Sequence, residues 1–380
     1  MKNFDEAPFL VIWELTQACD LACVHCRACA IESRNPFELK TEEGFRLLEE
    51  VRSFGDPLMV FTGGDPLKRP DLFQLLEKSV SLGLRTTVTP SATPLLTETA
   101  IERFKACGVA RMAISLDGPD ATSHDGFRRV EGSFDRTLLA LNHAKRIGLQ
   151  TQINTTVTRH NVHRLAEIAR VVEQSGAKLW SVFFLVATGR ASVSQDLTPE
   201  EYEEVFGFLY DLSKTVPFDI KTTEAQHYRR YVAQRKKAEG GNASGPRPAA
   251  PDVIQRQAGI NDGKGFVFVS HTGEIFPSGF LPLSAGNVRR DSLASVYRTS
   301  PLFQTLRDAD NLHGKCGECE YRNLCGGSRS RSYALTGDFL AEEARCVYQP
   351  APTSGKRRRP ATPAILLHVE NAPLVHIGGV

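Results

Sequence analysis

Hydrophobic and polar positions follow two different periods along the first 215 residues. Short apolar runs, rich in β-branched residues and as long as buried strands, alternate with longer stretches of helical periodicity. The predicted strands span residues 9–15, 58–61, 86–90, 111–116, 152–158 and 181–186. The predicted helices span residues 70–82, 97–106, 133–147, 161–174 and 199–213, and another begins after Thr41 with acidic residues in its first turn.

These six strand–helix repeats predict an α/β fold with parallel strands and right-handed crossovers. We expect a partial (β/α)6 TIM-like barrel, because the two further repeats of a closed eight-fold barrel are not apparent before residue 215. In such a fold the functional residues lie in the loops that follow the strands.

The pattern weakens after residue 215. Residues 235–264 are rich in Gly, Pro, Ala and charge and predict a flexible loop. Two short strands at 265–270 and 274–278 form a predicted hairpin, and residues 290–308 predict a helix. We therefore divide the chain into a core of residues 1–215, a linker or substrate-side segment of 216–264, a small domain of 265–350 and a flexible tail of 351–380.

Composition and charge are those of a soluble enzyme. The 380 residues are 41% hydrophobic and 24% charged, with a net charge of +2, so no excess charge indicates nucleic acid or an acidic membrane surface. The basic run at 356–359 is interpreted as part of a solvated tail rather than a nucleic-acid site. No apolar run has the ~18 to 20 residues of a membrane-spanning helix, and the N-terminus has no secretory signal. We expect a cytoplasmic location.

The nine cysteines fall into two groups. Four lie between positions 19 and 29, four lie between 316 and 346, and Cys107 stands alone. Clustered cysteines in a reducing compartment bind metal or do chemistry more often than they form disulfides.

The first group has the spacing C-x3-C-x2-C at Cys19, Cys23 and Cys26. Three thiolates can each ligate one iron of a cubane iron–sulfur cluster and leave the fourth iron free for an organic ligand. A zinc site completed by His25, and buried apolar cysteines, are the alternatives. A fourth ligand would close the open iron, so Cys29 is expected to pack as a small hydrophobic residue.

Position along the chain makes the family recognisable. The cysteine motif follows the first strand and Gly63-Gly64-Asp65-Pro66 follows the second, and together they resemble the signature of the radical S-adenosylmethionine (SAM) superfamily. The resemblance implies a [4Fe-4S] cluster on the three catalytic cysteines, chelated by SAM. The resemblance implies that the backbone and the acidic residue of this motif hold the amino group of the SAM methionine. Asp65 stands where the family's GGEP motif has glutamate, which keeps the charge but shortens the reach.

Further matches extend the resemblance over roughly residues 8–200. Ser115 and Asp117 match the family's S-x-D element, although Asp117 could instead cap a turn. Arg128, in the stretch HDGFR, matches an arginine that reaches the SAM carboxylate, as a bidentate guanidinium can. The weaker matches to SAM-contacting positions are Ser91, Asn154 and Thr156.

The second group, C-x2-C-x5-C-x20-C, resembles the SPASM or twitch extension of many radical SAM enzymes. The resemblance implies one auxiliary [4Fe-4S] cluster on four cysteines, with structural zinc as the alternative. These cysteines are Cys316, Cys319, Cys325 and Cys346. Relatives with two auxiliary clusters have further cysteines where this chain has Ser278 and Ser328. The predicted molecule is thus a partial barrel with a small C-terminal Fe–S extension.

The resemblance also implies an activity. Reductive cleavage of SAM gives a 5′-deoxyadenosyl radical that abstracts hydrogen from a substrate, with an electron donor such as flavodoxin or ferredoxin. Residues 13–28 and 319–346 resemble enzymes of alternative haem and haem d biosynthesis, which trim propionates on iron porphyrins, and peptide maturases share the architecture. A tetrapyrrole or a peptide is the expected substrate. A non-catalytic electron carrier and a zinc-dependent interaction module are the remaining alternatives.

The propionates of a tetrapyrrole would require cations. The segment from Lys221 to Arg230 is the predicted source, with a solvated helix face as the alternative reading of these residues. His227 or Tyr228 is a candidate to ligate the porphyrin iron or to shuttle a proton.

Overall fold

The computed structural model describes residues 3–240 and 259–351. The loop predicted at 235–264 therefore lies largely outside the described residues, as does the basic run at 356–359. No helix within the described residues is long and apolar enough to cross a membrane.

A ten-stranded sheet organises the described residues. Its strands are β1 (Leu10–Glu14), β2 (Leu58–Thr62), β3 (Arg85–Val88), β4 (Arg111–Ser115), β5 (Thr151–Val157), β6 (Leu179–Phe184), β7 (Asp219–Thr223), β8 (Phe266–Val269), β9 (Glu274–Phe276) and β10 (Gly286–Asn287). The order across the sheet is β10-β9-β8-β1-β2-β3-β4-β5-β6-β7. Strands β1 to β7 are parallel to one another and β8 is parallel to β1, whereas β9 and β10 are antiparallel additions at one edge.

Helices connect the parallel strands, and four further helices within the described residues follow β10. They are α1 (Thr41–Ser53), α2 (Leu72–Ser81), α3 (Glu98–Ala106), α4 (Ala121–Arg128), α5 (Ser133–Ile147), α6 (Leu165–Ser175), α7 (Pro199–Leu212), α8 (His227–Ala238), α9 (Leu293–Thr299), α10 (Pro301–Arg307), α11 (Gly314–Glu318) and α12 (Arg329–Thr336). Short 3-10 turns span Pro66–Lys68, Val162–Arg164, Val193–Gln195 and Ala309–Asn311. The helix predicted at 290–308 is two helices, because Pro301 cannot continue the hydrogen bonding of α9.

The predicted α/β fold with parallel strands is confirmed, and all six predicted barrel strands are present. The hairpin predicted after residue 265 is also present as β8 and β9. Several features were missed, among them α4, α11, α12 and β10. The segment after residue 215 contains β7 and α8 rather than irregular chain, and β8 pairs in parallel with β1. The division of the chain into domains stays a prediction.

The core lies between the outer face of the sheet and the helices. Trp13 and Phe61, neighbours on β1 and β2, are fully buried with ring centroids 5.9 Å apart. Gly44 of α1 allows this approach, since a Cβ atom there would lie 2.6 Å from the Trp13 ring. Trp180 of β6 is also fully buried and donates to Thr155 Oγ1 at 2.8 Å. Successive side chains of a strand point to opposite faces, so the residues next to Trp13, Phe61 and Trp180 along their strands face the inside of the barrel.

Candidate active site

The loops after β1 and β2 are in direct backbone contact. Gly64 N donates to Thr16 O and Asp65 N donates to Ala18 O, both at 2.7 Å. A Cβ atom on Gly64 would lie 2.5 Å from Ala18 O, and one on Gly63 would lie 2.7 Å from Thr16 O. Only glycine therefore lets the GGDP loop pack against the residues that lead into Cys19.

The three cysteines of this loop lie close together. Cys19 and Cys23 are buried and Cys26 packs against them. A donor approaches each sulfur. Leu21 N lies 3.4 Å from Cys19 Sγ, Arg128 Nη1 lies 3.5 Å from Cys23 Sγ, and Ala30 N lies 3.4 Å from Cys26 Sγ. Such donors suit thiolates that ligate iron. Burial raises the pKa of Cys19 to about 11, so this thiol needs a bound cation to ionise at neutral pH.

Cys29 differs from these three. Its side chain is exposed and its backbone has a φ of 47°, in the left-handed region. The prediction that Cys29 packs as a small hydrophobic residue is therefore wrong. It follows a turn in which Cys29 N donates to Cys26 O at 3.4 Å, and this turn directs it away from the buried thiols.

Asp65 is buried and turned into the protein. Its carboxylate accepts from Thr93 Oγ1 at 2.7 Å and from Leu67 N at 3.1 Å, and so caps the short turn that begins at Pro66. Burial raises the pKa of Asp65. Ser91 Oγ donates to Gly64 O at 2.7 Å and lies 3.5 Å from Cys19 Sγ. Ser91 therefore contacts both the GGDP loop and Cys19.

Asp117, Arg128 and Thr156 form a second group. Asp117 is fully buried, forms an ion pair with Arg128 and accepts from Thr156 N at 2.7 Å. Burial alone would raise the pKa of Asp117, but the guanidinium of Arg128 lowers it below its usual range. Asp120, rather than Asp117, caps α4, where it accepts from Ser123 N at 2.9 Å. Since Arg128 also reaches Cys23, this group adjoins the three thiols.

Ser115 and Asn154 are register partners on β4 and β5. They face the inside of the barrel, because the residues just before them, Ile114 and Ile153, belong to the core between the sheet and the helices. Asn154 Oδ1 accepts from Gln152 Nε2 at 2.8 Å. Apart from Arg128, which ends α4, the residues expected to contact SAM therefore lie on β5 or at and after the carboxyl ends of β2 to β4. Their contacts with SAM stay predictions.

One ion-pair network at this end of the sheet was not predicted. Glu14, at the end of β1, accepts from Arg27 at 2.5 Å and lies 2.8 Å from His271 Nδ1. Arg27 also stacks over the ring of Phe268, with its Cζ 4.7 Å from the centroid. The sequence signal for this network was the acidic residue Glu14 at the end of an otherwise apolar strand. The network ties the cysteine loop to the turn after β8.

The four C-terminal cysteines line one cavity, together with Arg230 and Lys315. Backbone N–H groups approach three of the sulfurs, from Glu343 to Cys316 at 3.3 Å, from Tyr321 to Cys319 at 3.4 Å and from Gly327 to Cys325 at 3.3 Å. Arg230 Nη2 lies 3.7 Å from the sulfur of Cys346. Within residues 3–240 and 259–351, no group of three or more His, Cys, Asp or Glu side chains is arranged to hold a single metal ion. The lining thiols and their donors fit a cluster that several sulfurs surround.

Ser278 and Ser328 are both buried in a polar network. Ser328 Oγ donates to Glu224 at 2.5 Å, and Ser278 Oγ lies 3.5 Å from Ser330 Oγ. Ser330 N in turn donates to Asp262 at 2.8 Å. Hydroxyl and carboxylate groups therefore fill the positions at which a second auxiliary cluster would need thiols. Nothing in the local sequence pattern marks Glu224 or Asp262 as buried.

The segment from Lys221 to Arg230 divides between two places. Lys221 lies on β7, whereas His227, Tyr228 and Arg230 are buried residues of α8. The alternative of a solvated helix face is therefore wrong. Arg230 forms an ion pair with Glu203 beside the C-terminal cysteines, and His227 also lines that cavity. A role for His227 or Tyr228 with a porphyrin iron stays a prediction.

Comparison with known proteins agrees with this geometry. The model of the radical SAM superfamily matches residues 13–172. The AdoMet-dependent heme synthase of Nitratidesulfovibrio vulgaris is 43% identical over 343 residues, which cover 90% of this chain and 92% of that protein. The AdoMet-dependent heme synthase of Methanosarcina barkeri is 39% identical over 350 residues, covering 92% and 99%. Streptococcus suis SuiB bound to S-adenosylmethionine has a similar fold, with a TM-score of 0.72 at 17% identity over 90% of this chain and 78% of that one.

The chain therefore belongs to the radical SAM superfamily, as predicted. It is an enzyme that uses SAM and a [4Fe-4S] cluster to generate a 5′-deoxyadenosyl radical and abstract hydrogen from a substrate. Within the superfamily it is similar over nearly its whole length to proteins named AdoMet-dependent heme synthase.

Proposed function

We propose that this enzyme acts on an iron porphyrin and converts propionate side chains into vinyl groups, as in the formation of haem. The observation that carries the proposal is the 43% and 39% identity to two proteins named AdoMet-dependent heme synthase, over at least nine-tenths of each chain. The peptide-maturase alternative has fold likeness to SuiB in its favour, at 17% identity, and fold likeness does not specify a substrate.

The first cofactor site would be held by Cys19, Cys23 and Cys26, whose sulfurs each have a nearby donor. When bound there, the cluster and SAM supply the radical that removes a hydrogen atom from the substrate. Arg128 is fixed by Asp117 beside Cys23, and its guanidinium has further N–H groups that could bind a carboxylate at the edge of the cluster. Asp65 binds Thr93 and Leu67, so its role is to hold the loop in place while the loop backbone meets the ligand.

The proposed reaction has a simple balance. Loss of a hydrogen atom from the propionate carbon next to the ring leaves a carbon radical. The bond to the carboxylate then breaks, carbon dioxide leaves, a vinyl group forms and one electron remains. That electron needs a one-electron acceptor, and an oxidised iron–sulfur cluster is of the right chemical class.

The C-terminal site is suited to be that acceptor. Four cysteines would complete the ligation of a [4Fe-4S] cluster, so no iron would be open to SAM. The backbone donors to three sulfurs, and the positive charges of Arg230 and Lys315, would favour the reduced cluster and raise its reduction potential.

The test is anaerobic incubation with SAM, a reductant and iron-coproporphyrin, followed by mass analysis of the porphyrin and of deoxyadenosine. Stepwise loss of carboxyl groups is expected. The Cys23→Ala variant should form no deoxyadenosine, whereas Cys319→Ser should still cleave SAM but form little vinyl product. An unchanged porphyrin with active SAM cleavage would exclude the haem proposal. Metal analysis should find about eight irons per chain; stoichiometric zinc would exclude both cluster assignments.

A further inference from the structure

Four residues form a continuous row across the inside of the barrel. The strand register pairs Ser115 with Asn154, Asn154 with Ser181, and Ser181 with Lys221. The first two are the residues expected to contact SAM on β4 and β5. Lys221 therefore lies in the same row across the sheet, two strand spacings or roughly 10 Å from Asn154.

Lys221 faces inward. Its neighbour Ile220 is paired with Trp180, and both belong to the core between the sheet and the helices. Alternation along β7 directs Lys221 to the opposite face. Thr223, two residues further, confirms that face, because its hydroxyl lies 3.4 Å from Ser181 Oγ. Lys221 is half-buried, as expected of a side chain that lines an internal cavity.

Among the described residues, no carboxylate forms an ion pair with Lys221. Burial lowers its pKa to about 8, and the nearby charge of Arg111 lowers the pKa further. Other cations near the barrel have an acidic partner: Arg27 binds Glu14 and Arg128 binds Asp117. An ammonium group held partly out of water without an acidic partner is costly, so a fold retains one where an anion binds.

We propose that Lys221 binds a carboxylate of the substrate inside the barrel, and so orients the substrate toward the face that carries Ser115 and Asn154. Given the proposed function, on which this assignment rests, the carboxylate is a porphyrin propionate. The hydroxyls of Ser181 and Thr223 lie on the same face and can accept or donate further hydrogen bonds. Arg229 and Arg230, which lie toward the C-terminal cysteines, are not part of this site.

The experiment is an anaerobic absorption titration of the cluster-loaded enzyme with iron-coproporphyrin, without reductant, so that binding is read without turnover. Lys221→Met should weaken binding by about 10- to 100-fold, the effect of losing one charge-assisted hydrogen bond. Lys221→Arg should stay within a few-fold of the wild type. Lys178→Met removes an exposed lysine just before β6 and should leave binding unchanged.

The same titration with the tetramethyl ester of the porphyrin separates charge from shape. The wild type should bind the ester more weakly than the acid, and Lys221→Met should lose most of this discrimination. Wild-type affinity and discrimination in Lys221→Met would overturn the assignment while the proposed function stands. A wild type that binds neither porphyrin would instead overturn the proposed function. If Lys221→Met does not fold, equal binding of acid and ester by the wild type would still refute the assignment.

Discussion

The contact between the GGDP loop and the first cysteine loop makes a sharp prediction for Gly64→Ala. The new methyl group would lie 2.5 Å from Ala18 O and 2.6 Å from Gln17 O, whereas ordinary contacts begin at 3.4 Å. The two loops must therefore separate by about 0.9 Å. The hydrogen bonds from Gly64 N and Asp65 N, both 2.7 Å long, would then exceed the usual limit.

Two lost backbone hydrogen bonds and the overpacking together should cost about 2 to 4 kcal/mol of stability. The strain falls beside Cys19, so the first cluster should be lost before the second. We expect iron to fall from about eight to about four per chain, and deoxyadenosine formation to be lost. Gly126→Ala is the matched control, because nothing lies within 4 Å of its added Cβ. Full iron and undiminished deoxyadenosine formation in Gly64→Ala would show that the loop contact does not position the cluster.

Three other variants test the remaining groups. Cys29→Ser should retain all iron and SAM cleavage, because the Cys29 side chain is exposed; loss of iron on metal analysis would make it a ligand. Arg128→Met leaves Asp117 buried without its partner and should lower the free energy of unfolding by about 3 to 5 kcal/mol in denaturant titrations, and an unaltered midpoint would contradict the importance of the pair. Burial raises the pKa of Glu224. The free energy that Glu224 contributes to folding is therefore fully present below the usual pKa of a glutamate and is lost as pH rises through the raised pKa. Glu224→Gln should flatten this fall in unfolding measurements across pH, and an unchanged slope would mean that Glu224 ionises normally.

Strand periodicity predicted the barrel strands because one face of each packs against helices. It failed for β7, where Ile220 is the one strongly buried residue and Lys221 and Thr223 face a polar interior. A strand that lines a binding cavity has polar residues where a core strand has apolar ones, so the local pattern resembles a surface loop.

Motif spacing likewise predicted which loops meet, but not what each side chain does. Gly64 is required because the carbonyl oxygen of Ala18 lies close to it. The two motifs follow the first and second predicted strands, so their order along the chain already indicated that these loops are neighbours. Asp65 was expected to face the ligand, yet its shorter side chain reaches Thr93, nearly thirty residues later. Partner choice between distant residues depends on packing, which no local pattern contains.

The pairing of β1 with β8 has a consequence for how the enzyme is made. The strand that leads into Cys19 is completed on one side by residues synthesised about 250 positions later, at Phe266–Val269. At translation rates of roughly 5 to 20 residues per second, that partner emerges on the order of 10 to 50 s after β1. Until then β1 has an unpaired edge, and Glu14 lacks His271. Delivery of iron and sulfide to the first three cysteines is therefore best timed after β8 has paired with β1.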